Sequence, residues 1–342
     1  MSKDLDLWDP DADANSDAAS TTGAAQSGEL NNSAYANDAA YHRPVMLREC
    51  LEAMQLQPGG RYVDVTFGGG GHSARILERL TGGGHLYSFD QDAAAEAEAQ
   101  KLAGPNFTFI RANFRDLHAE LVRRGALPVD ALLADLGVSS HQFDTAARGF
   151  STRFDGPLDM RMDPDGDLTA ADILNDYKEA DLHRIFGMYG EVTNARTLAQ
   201  TVAAARRSRP LHTIQELKEA IKSVVARGKE NKYLAQVFQA LRIEVNQELT
   251  ALQDMLTQTA QVLRPGGRLV VLSYHSLEDR LAKNFLAKGK FFGEAEKDLF
   301  GRENKPFEAL TRRPEEATPE EVIVNSRARS AKLRVGVRGG GN

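Results

Sequence analysis

The sequence predicts an α/β fold in which a parallel sheet is interrupted by a helical insertion. Strand-like and helix-like segments alternate between Arg61 and Leu136, which is typical of parallel strands joined by crossover helices. From Asp144 the alternation stops for about a hundred residues of helical pattern, and strand character returns at Arg268–Tyr274. In a chain of 342 residues these observations fit an α/β domain interrupted after its fourth strand.

The elements of the first half are predicted from short apolar runs and the amphipathic segments between them. Apolar or β-branched residues dominate each predicted strand, and Gly, Asn or Asp residues bound it. The predicted strands are Arg61–Phe67, His85–Asp90, Phe107–Phe114 and Val129–Leu136. The predicted helices are His72–Leu80, Ala93–Leu102 and Asp116–Arg124.

Helical periodicity dominates the insertion. Apolar residues recur every three or four positions from Lys232 to Leu263, which predicts one long amphipathic helix. The last two strands are predicted at Glu321–Asn325 and Ala331–Val337. The other predicted helices are Thr169–Tyr177, Glu179–Gly187, Asn194–Arg207, Thr213–Ala226 and one that begins at Leu277. The predicted boundaries are a leader at 1–40, a first part of the sheet domain at 41–143, the insertion at 144–245 and a second part at 246–342.

Charge is distributed unevenly along the chain. The formal net charge is −6, yet residues 1–40 hold eight acids and one base, so the remainder carries a net +1. The leader is rich in Ala, Asp, Ser and Asn, which predicts a disordered acidic segment. From Asn325 onward there are five bases and no acid, a basic tail compatible with RNA.

The cysteine content and the absence of long apolar runs predict the cellular compartment of the protein. Cys50 is the only cysteine, it is predicted to be buried, and it excludes a disulfide framework. No signal-peptide pattern and no apolar run long enough for a membrane span is present, so a cytoplasmic protein without membrane contact is expected.

Four consecutive glycines follow the first predicted strand. Gly68 to Gly71 stand between a strand and a helix, where a glycine turn lets a phosphate or nucleoside approach the backbone. Asp90 ends the next strand, where a carboxylate can accept hydrogen bonds from ribose hydroxyls. The alternative is a plain turn with Asp90 as a helix cap. The pattern leaves a dinucleotide and S-adenosylmethionine both open as the ligand.

A second motif, DLGVSSHQ, follows the fourth predicted strand. Ligands of open α/β sheets lie at the carboxyl ends of the strands, so Asp135 is expected to share a crevice with the glycine loop. The alternative is a helix N-cap made by Ser139 or Ser140.

Eight sequence blocks in order resemble the ribosomal RNA small subunit methyltransferase H family, which methylates N4 of a cytidine in 16S rRNA. The resemblance covers about residues 41–338 and implies a class I, Rossmann-like methyltransferase sheet with an inserted α-helical domain and S-adenosyl-L-methionine as cofactor. The blocks are FGGGGHS at Phe67–Ser73, DLGVSS at Asp135–Ser140, RGFS at Arg148–Ser151, DGPLDMRMD at Asp155–Asp163, FQALRI at Phe238–Ile243, PGGRL at Pro265–Leu269, HSLEDR at His275–Arg280 and NSRARSAKLR at Asn325–Arg334.

The resemblance also implies cofactor-binding residues. These are Gly70, Gly71, His72, Asp90, Phe114, Asp135 and Gln142. Phe114 and Gln142 rest on the resemblance alone, and Phe114 would otherwise be assigned to the core. The chain departs from the family at Ala235-Gln236, where a Thr-Arg pair is common, and at Ser326, where proline is common. The first departure removes a possible basic contact to RNA.

Methylation of a cytosine amine requires oxygen acceptors near N4. The lone pair on N4 is delocalised into the ring, so a catalyst must orient the amine and receive its proton. Asp135, Ser139 and Ser140 are the predicted catalytic candidates. His275 follows the fifth strand and is either a proton acceptor or part of a helix cap with Ser273 and Glu278.

Metal ligands and partners complete the prediction. Asp163, Asp165 and Asp167 alternate but do not match a calcium loop, and no HExxH spacing occurs, so no required metal is expected. The expected partner is 16S rRNA in the small ribosomal subunit, with the oligomeric state open and a homodimer considered. Alternatives are a methyltransferase for another nucleic acid, a nicotinamide-dependent dehydrogenase and a non-enzymatic RNA-binding assembly factor. The candidate RNA contacts are Arg148, Arg153, Arg161, Arg206, Arg207, Arg209, Arg327, Arg329, Lys332, Arg334 and Arg338.

Overall fold

The computed structural model describes residues 44–297, 301 and 303–340. The predicted leader at 1–40 lies outside the described residues. Within the described part, eight strands form one sheet in the order β3-β2-β1-β4-β5-β8-β6, with β7 also paired to β8. The strands are β1 Arg61–Asp64, β2 His85–Asp90, β3 Phe107–Arg111, β4 Val129–Asp135, β5 Leu263–Ser273, β6 Phe307–Ala309, β7 Glu315–Glu316 and β8 Lys332–Arg338.

Strands β1 to β5 are parallel, as predicted, whereas β8 runs antiparallel to β5 and to β6. The helices that cover the sheet or form the insertion are α1 Leu47–Met54, α2 Gly71–Leu77, α3 Ala93–Lys101, α4 Leu117–Arg123, α5 Ser140–Asp144, α6 Ala170–Asp176, α7 Glu179–Met188, α8 Ala195–Ser208, α9 Ile214–Ile221, α10 Glu230–Asn246, α11 Glu248–Val262, α12 Ser276–Lys288 and α13 Pro319–Val324. No helix among these described residues is both long and apolar enough to cross a membrane.

The two faces of the sheet pack into separate cores, which explains the nearly continuous apolar run of β4. Leu132 and Ala134 pack on the face covered by α4, α11 and α12, whereas Ala131 and Leu133 pack on the face covered by α1. Cys50 belongs to the second core and is fully buried, as predicted. A strand buried on both faces needs apolar residues at successive positions rather than at alternate ones.

The insertion has a hydrophobic core of its own. Its buried members run from Phe150 to Leu241 and come mainly from α6, α7, α8, α9 and α10. The four shorter predicted helices are present as α6 to α9, with ends that differ from the predicted ones by at most five residues. The predicted domain boundaries themselves stay a prediction.

The prediction of one helix from Lys232 to Leu263 is wrong. The segment forms two helices, α10 and α11, separated at Gln247, whose φ of 49° is left-handed. The apolar periodicity continues across this break, because both helices bury one face, so periodicity alone could not reveal it.

The strand predicted at Glu321–Asn325 is also wrong, because this segment is helix α13. The Thr318 side chain accepts a hydrogen bond from the Glu321 amide, and Pro319 occupies the first helical turn. Both features are N-terminal helix signals that outweigh the β-branched residues of EVIV. Ile323 of this helix is 82% exposed, which no buried strand would allow.

Candidate functional site

The crevice of this sheet lies at the carboxyl ends of β1 and β4. Strand β1 pairs with β2 on one side and with β4 on the other, so the order of the strands reverses between β1 and β4. Open α/β sheets bind ligands at this reversal point. Asp64 and Asp135 are the last residues of the two strands.

The glycine loop closes one side of the crevice. Gly70 caps α2 with a left-handed φ of 76°, and a Cβ there would lie 2.7 Å from the Phe67 ring. A Cβ on Gly71 would lie 2.6 Å from Pro44, so a side chain is excluded there too. In contrast, nothing lies within 4 Å of a Cβ built on Gly69, so the backbone at that position faces open space. This geometry lets a ligand approach the main chain.

Asp90 ends β2 and is fixed by two amides of the adjoining turns. Its Oδ2 accepts a hydrogen bond from the Gly68 amide at 2.7 Å, and its Oδ1 accepts one from the Asp92 amide at 2.8 Å. Burial raises the pKa of this carboxyl to about 6, although the two amides act to lower it. Asp90 is therefore mostly ionised at neutral pH and can accept further hydrogen bonds from hydroxyl groups.

A cavity of about 340 Å³ lies beside Asp90 at the ends of β2 and β3. The Asn113 amide donates to Gln91 Oε1 at 2.7 Å along its wall. Phe114, a cofactor-binding residue implied by the family resemblance, follows directly in sequence, and its side chain packs against the sheet core. The cavity is lined by Gln91, Arg111, Ala112, Asn113, Asp163 and Asp165.

Asp135 has two side-chain partners at the end of β4. The Tyr274 hydroxyl donates to Asp135 Oδ1 at 2.6 Å, and His72 Nδ1 lies 3.5 Å from Asp135 Oδ2. Burial raises the pKa of Asp135, while His72 and the Tyr274 hydroxyl act to lower it. The carboxylate is half-buried, so it remains reachable from the crevice.

The buried His72 ring is oriented by the main chain. Its Nε2 lies 3.1 Å from the Val45 carbonyl, which can only accept a hydrogen bond, so Nε2 carries hydrogen. In the neutral ring, Nδ1 then carries a lone pair, and this lone pair is directed at Asp135. The His72 ring therefore presents Nδ1 to the Asp135 carboxylate at a distance of 3.5 Å.

Sequence reasoning missed Asp64 and Tyr274. Asp64 is only 1% exposed, and it accepts hydrogen bonds from the Ser73 hydroxyl at 2.7 Å and from the Thr66 amide at 3.1 Å. Burial raises the pKa of Asp64, whereas His72 and these hydrogen-bond donors act to lower it. Asp64 lay in the middle of the predicted strand Arg61–Phe67, and only the observed β1, which is three residues shorter, ends at this carboxylate.

Ser139, Ser140 and Gln142 form a helix start next to Asp135. Ser139 Oγ accepts from the Gln142 amide at 3.2 Å, and Gln142 Oε1 accepts from the Ser139 amide at 3.1 Å. This capping box corresponds to the structural alternative raised for Ser139. Ser140 Oγ accepts a hydrogen bond from Arg327. Direct roles for these three residues in the reaction or in cofactor binding stay predictions.

Gln142 also belongs to a buried network that sequence reasoning did not find. Its Nε2 donates to Asp92 Oδ2 at 2.8 Å, and Arg148 Nη1 donates to the same oxygen at 2.8 Å. Arg148 Nη2 donates in turn to the carbonyls of Arg161 and Met162. The network connects the turn after Asp90 to the loop that precedes the insertion helices.

His275 lies beside this crevice without contacting Asp135. It is the N-cap residue of α12, but its side chain makes no capping hydrogen bond. Its Nε2 lies 3.1 Å from Glu278 Oε1, and Glu278 Oε2 accepts from the Tyr274 amide at 3.0 Å. Glu278 therefore supports the helix start as predicted, whereas His275 does not.

Several arginines predicted to contact RNA are engaged inside the protein. Arg334 is 4% exposed and makes two hydrogen bonds to Asp279. Arg161 binds Asp159 and the Gly166 carbonyl, and Arg206 donates to the Leu174 carbonyl. Together with Arg148 these guanidinium groups stabilise the fold, which leaves them poorly placed for phosphate.

Other predicted cations remain at the surface. Arg153 and Arg327 both approach Asp144 at the end of α5, with side chains 55% and 41% exposed. Arg207, Arg209 and Arg329 are exposed as well. Where a Thr-Arg pair is common in the family, Gln236 donates instead to the Glu191 carbonyl at 2.9 Å.

The sheet order, the glycine turn and the acid at the end of β2 define an open α/β protein of the nucleoside-binding, Rossmann-like class. A family profile narrows this class. The chain belongs to the MraW methylase family, whose profile matches residues 39–338, and it is therefore a methyltransferase.

Curated relatives agree with the family. The ribosomal RNA small subunit methyltransferase H of Cytophaga hutchinsonii is 58% identical over 87% of this chain and 99% of its own length. The protein of the same name from Parabacteroides distasonis is 55% identical over 87% of this chain and 97% of its own length. These relatives confirm the family resemblance of the eight sequence blocks.

Solved structures provide only remote matches. A putative rRNA methylase from Clostridium thermocellum is 13% identical over 87% of this chain and 98% of its own, with a TM-score of 0.39. A putative methyltransferase from Streptococcus mutans, in complex with SAH, is 13% identical over 87% of this chain and 99% of its own, with a TM-score of 0.35.

Proposed function

We propose that this methyltransferase transfers the methyl group of S-adenosylmethionine to N4 of a cytidine in 16S rRNA of the small ribosomal subunit. The observation that carries the proposal is the half-buried Asp135 at the end of β4, bound by Tyr274 and adjacent to His72. It faces the crevice that the glycine loop and Asp90 enclose. The names of the curated relatives support ribosomal RNA as the substrate.

The residues of the crevice fit an adenosyl cofactor. Asp90 offers a carboxylate for the ribose hydroxyls, and the open space at Gly69 admits the ligand to the main chain. The cavity lined by Gln91, Ala112 and Asn113 has polar groups suited to an adenine ring. When bound, S-adenosylmethionine supplies a methyl group on a sulfonium, a good leaving group for in-line displacement.

Asp135 is placed to orient and deprotonate the amine. Its carboxylate accepts a hydrogen bond from the N4 amino group, which turns the nitrogen lone pair towards the methyl carbon. Methylation of the amine would release one proton from N4, and Asp135 would accept it. His72 Nδ1 lies 3.5 Å from Oδ2 of the same carboxylate.

Tyr274 acts as a positioning residue for Asp135. Its hydroxyl bond fixes Oδ1 and leaves Oδ2 to His72 and the substrate. Thr66 Oγ1 also accepts from the Asp135 amide at 2.7 Å, so the backbone of the strand end is held in place. A fixed carboxylate loses less entropy when the amine binds.

Exposed cations near the crevice suit an RNA substrate. Arg153 and Arg327 both pair with Asp144 at the end of α5, five residues beyond Ser139. Phosphate binding depends on such local charge rather than on the net charge of the chain. A ribosomal substrate also implies action in the cytoplasm. The target base must leave its stack to reach Asp135.

The proposal is tested by calorimetry and by transfer of a labelled methyl group. We expect S-adenosylmethionine to bind and NAD not to bind. Label from S-adenosylmethionine should enter 30S subunits that lack the modification and should not enter tRNA or duplex DNA. Binding of NAD alone, or incorporation into DNA or tRNA but not into 30S subunits, would contradict the proposal.

A further inference from the structure

Three metal-ligating side chains from distant segments meet beside the crevice. Glu248 begins α11, His275 follows β5 and Glu278 lies in the first turn of α12. One potential ligand atom from each lies within 4.8 Å of the other two. None of the three contacts Asp135 or the glycine loop through a hydrogen bond among the described residues.

His275 provides a second and independent observation. Its side chain is only 10% exposed, and neither ring nitrogen has a hydrogen-bond partner among the described residues. The Nε2 atom lies 3.1 Å from Glu278 Oε1, which is an ion-pair distance. A buried polar group left unsatisfied costs about 1–3 kcal/mol, so the arrangement indicates a missing partner.

The separations suit a small divalent cation. Zn²⁺ binds imidazole nitrogen and carboxylate oxygen at about 2.0–2.2 Å, so neighbouring ligand atoms in a tetrahedral shell lie roughly 3.4 Å apart. The 3.1 Å contact between His275 and Glu278 is close to this value, and all three ligand atoms lie within 4.8 Å of one another. One histidine and two carboxylates leave a fourth position for water.

Arg242 would hold one ligand in place. Its Nε and Nη2 donate to Glu248 Oε1 and Oε2, both at 2.8 Å, and the pair is largely buried. Each carboxylate oxygen keeps a second lone pair, so Glu248 can bind a cation while it accepts from Arg242. Such outer partners orient the ligands in protein metal sites.

We propose that Glu248, His275 and Glu278 bind a divalent cation of the Zn²⁺ class. The site would join the start of α11, the end of β5 and the start of α12. Because Glu278 also accepts from the Tyr274 amide, the cation would fix the strand end that carries Tyr274. The expectation that the reaction requires no metal is compatible with a structural ion.

The competing explanation is a direct contact between His275 and Glu278 with no metal bound, and a measurement of metal binding distinguishes the two explanations. Full-length protein purified without a metal-affinity tag is stripped with chelator and titrated with Zn²⁺ by calorimetry. The variants are His275→Gln and Glu248→Gln, and the control is His183→Gln, which replaces an exposed histidine of α7. No cofactor or RNA is present, so the result is independent of methyl transfer.

We expect one Zn²⁺ per chain for the wild type and the control, and at least tenfold weaker binding for both site variants. Equal binding by the wild type and His275→Gln, or no binding by either, would overturn the proposal. If a variant does not fold, the proposal is tested instead by adding Co²⁺ to the wild-type protein from which metal has been removed. Visible d–d absorption with nitrogen and oxygen ligation supports the site, and its absence overturns the proposal.

Discussion

Asp135 differs from the other carboxylate of β4 in position and partners. Asp130, near the amino end of the strand, accepts from the Arg61 amide at 2.7 Å and is paired with Arg264. Asp135, at the carboxyl end, contacts Tyr274 and His72. Of these two carboxylates, only Asp135 lies where an open α/β sheet binds its ligand.

Asp135→Asn is predicted to abolish most methyl transfer. The amide has nearly the same shape but cannot receive the N4 proton, and general-base removal typically lowers rates by about 100-fold or more. Single-turnover transfer to 30S subunits measures the effect. The matched control Asp130→Asn should remain within about threefold of the wild type. Equal rates for the two variants would contradict the role of Asp135.

Cofactor affinity is predicted to fall as the pH decreases below 6. Burial raises the pKa of Asp90 to about 6, and the ribose hydroxyls bind its ionised form, so bound cofactor lowers this pKa. Binding then releases a proton in acid, and affinity weakens by up to about tenfold for each pH unit below 6. Calorimetry between pH 5 and 7.5 measures this dependence.

Asp90→Asn is the control for the pH dependence. Its affinity should be weaker at pH 7.5, by roughly tenfold or more, since a charged hydrogen-bond acceptor is lost. Its pH profile should also be flat over this range. A wild-type profile that is flat as well would show that Asp90 does not bind the cofactor.

Individual site residues could be predicted where a strand end displays them. Asp90 and Asp135 each follow an apolar run, so the sequence places them at the crevice without knowledge of tertiary contacts. Tyr274 could not be found in this way, because its importance depends on Asp135, which is 139 positions away. Glu248 and His275 are likewise brought together only by the tertiary structure, and no sequence motif relates their positions.

The elements that were predicted incorrectly fail for identifiable reasons. Gln247 breaks a long helix in a left-handed conformation without a glycine or proline to indicate it. In α13, apolar β-branched residues suggest a strand, but Thr318 and Pro319 begin a helix. The break at Gln247 could not be predicted from the sequence, whereas helix α13 could have been recognised from its capping residues.

Arg148→Gln is predicted to destabilise the fold strongly. Arg148 and Asp92 form a largely buried ion pair at 2.8 Å, with side chains 16% and 5% exposed. Removing one partner leaves the other charge buried, which typically costs about 3 kcal/mol or more. Urea denaturation measures the free energy of unfolding.

An exposed ion pair provides the control for this change. Arg123 pairs with Glu120 at 2.7 Å, but its side chain is 67% exposed. Arg123→Gln should therefore alter the free energy of unfolding by less than about 1 kcal/mol. Similar losses for Arg148→Gln and Arg123→Gln would show that the network around Asp92 is not a buried structural element.

At the scale of the whole molecule, the parallel strands were predictable, whereas in the antiparallel part only β8 was predicted, as Ala331–Val337. Strands β1 to β4 alternate with helices and follow from local pattern. Strand β8 pairs between β5 and β6, and the paired residues of β5 and β8 are 59 to 69 positions apart in the sequence. Strands β6 and β7, of three and two residues, are too short for a periodic pattern.

The net charge of the chain is governed by its first 40 residues, and their removal is predicted to leave the enzyme intact. The helices and strands in the described part begin at Leu47, and the family profile begins at residue 39. A chain lacking residues 1–40 should keep the thermal unfolding midpoint and the rate of methyl transfer. A loss of either would show that the leader contributes to the fold or to the substrate complex.

The central claim is that this crevice methylates a cytosine amine in the small ribosomal subunit. Its most direct test is nucleoside mass spectrometry of 16S rRNA after incubation of unmodified 30S subunits with the protein and methyl-deuterated S-adenosylmethionine. We expect deuterated N4-methylcytidine with the wild-type protein and almost none with Asp135→Asn. Deuterium in 5-methylcytidine, in a ribose methyl group or in no nucleoside would contradict it.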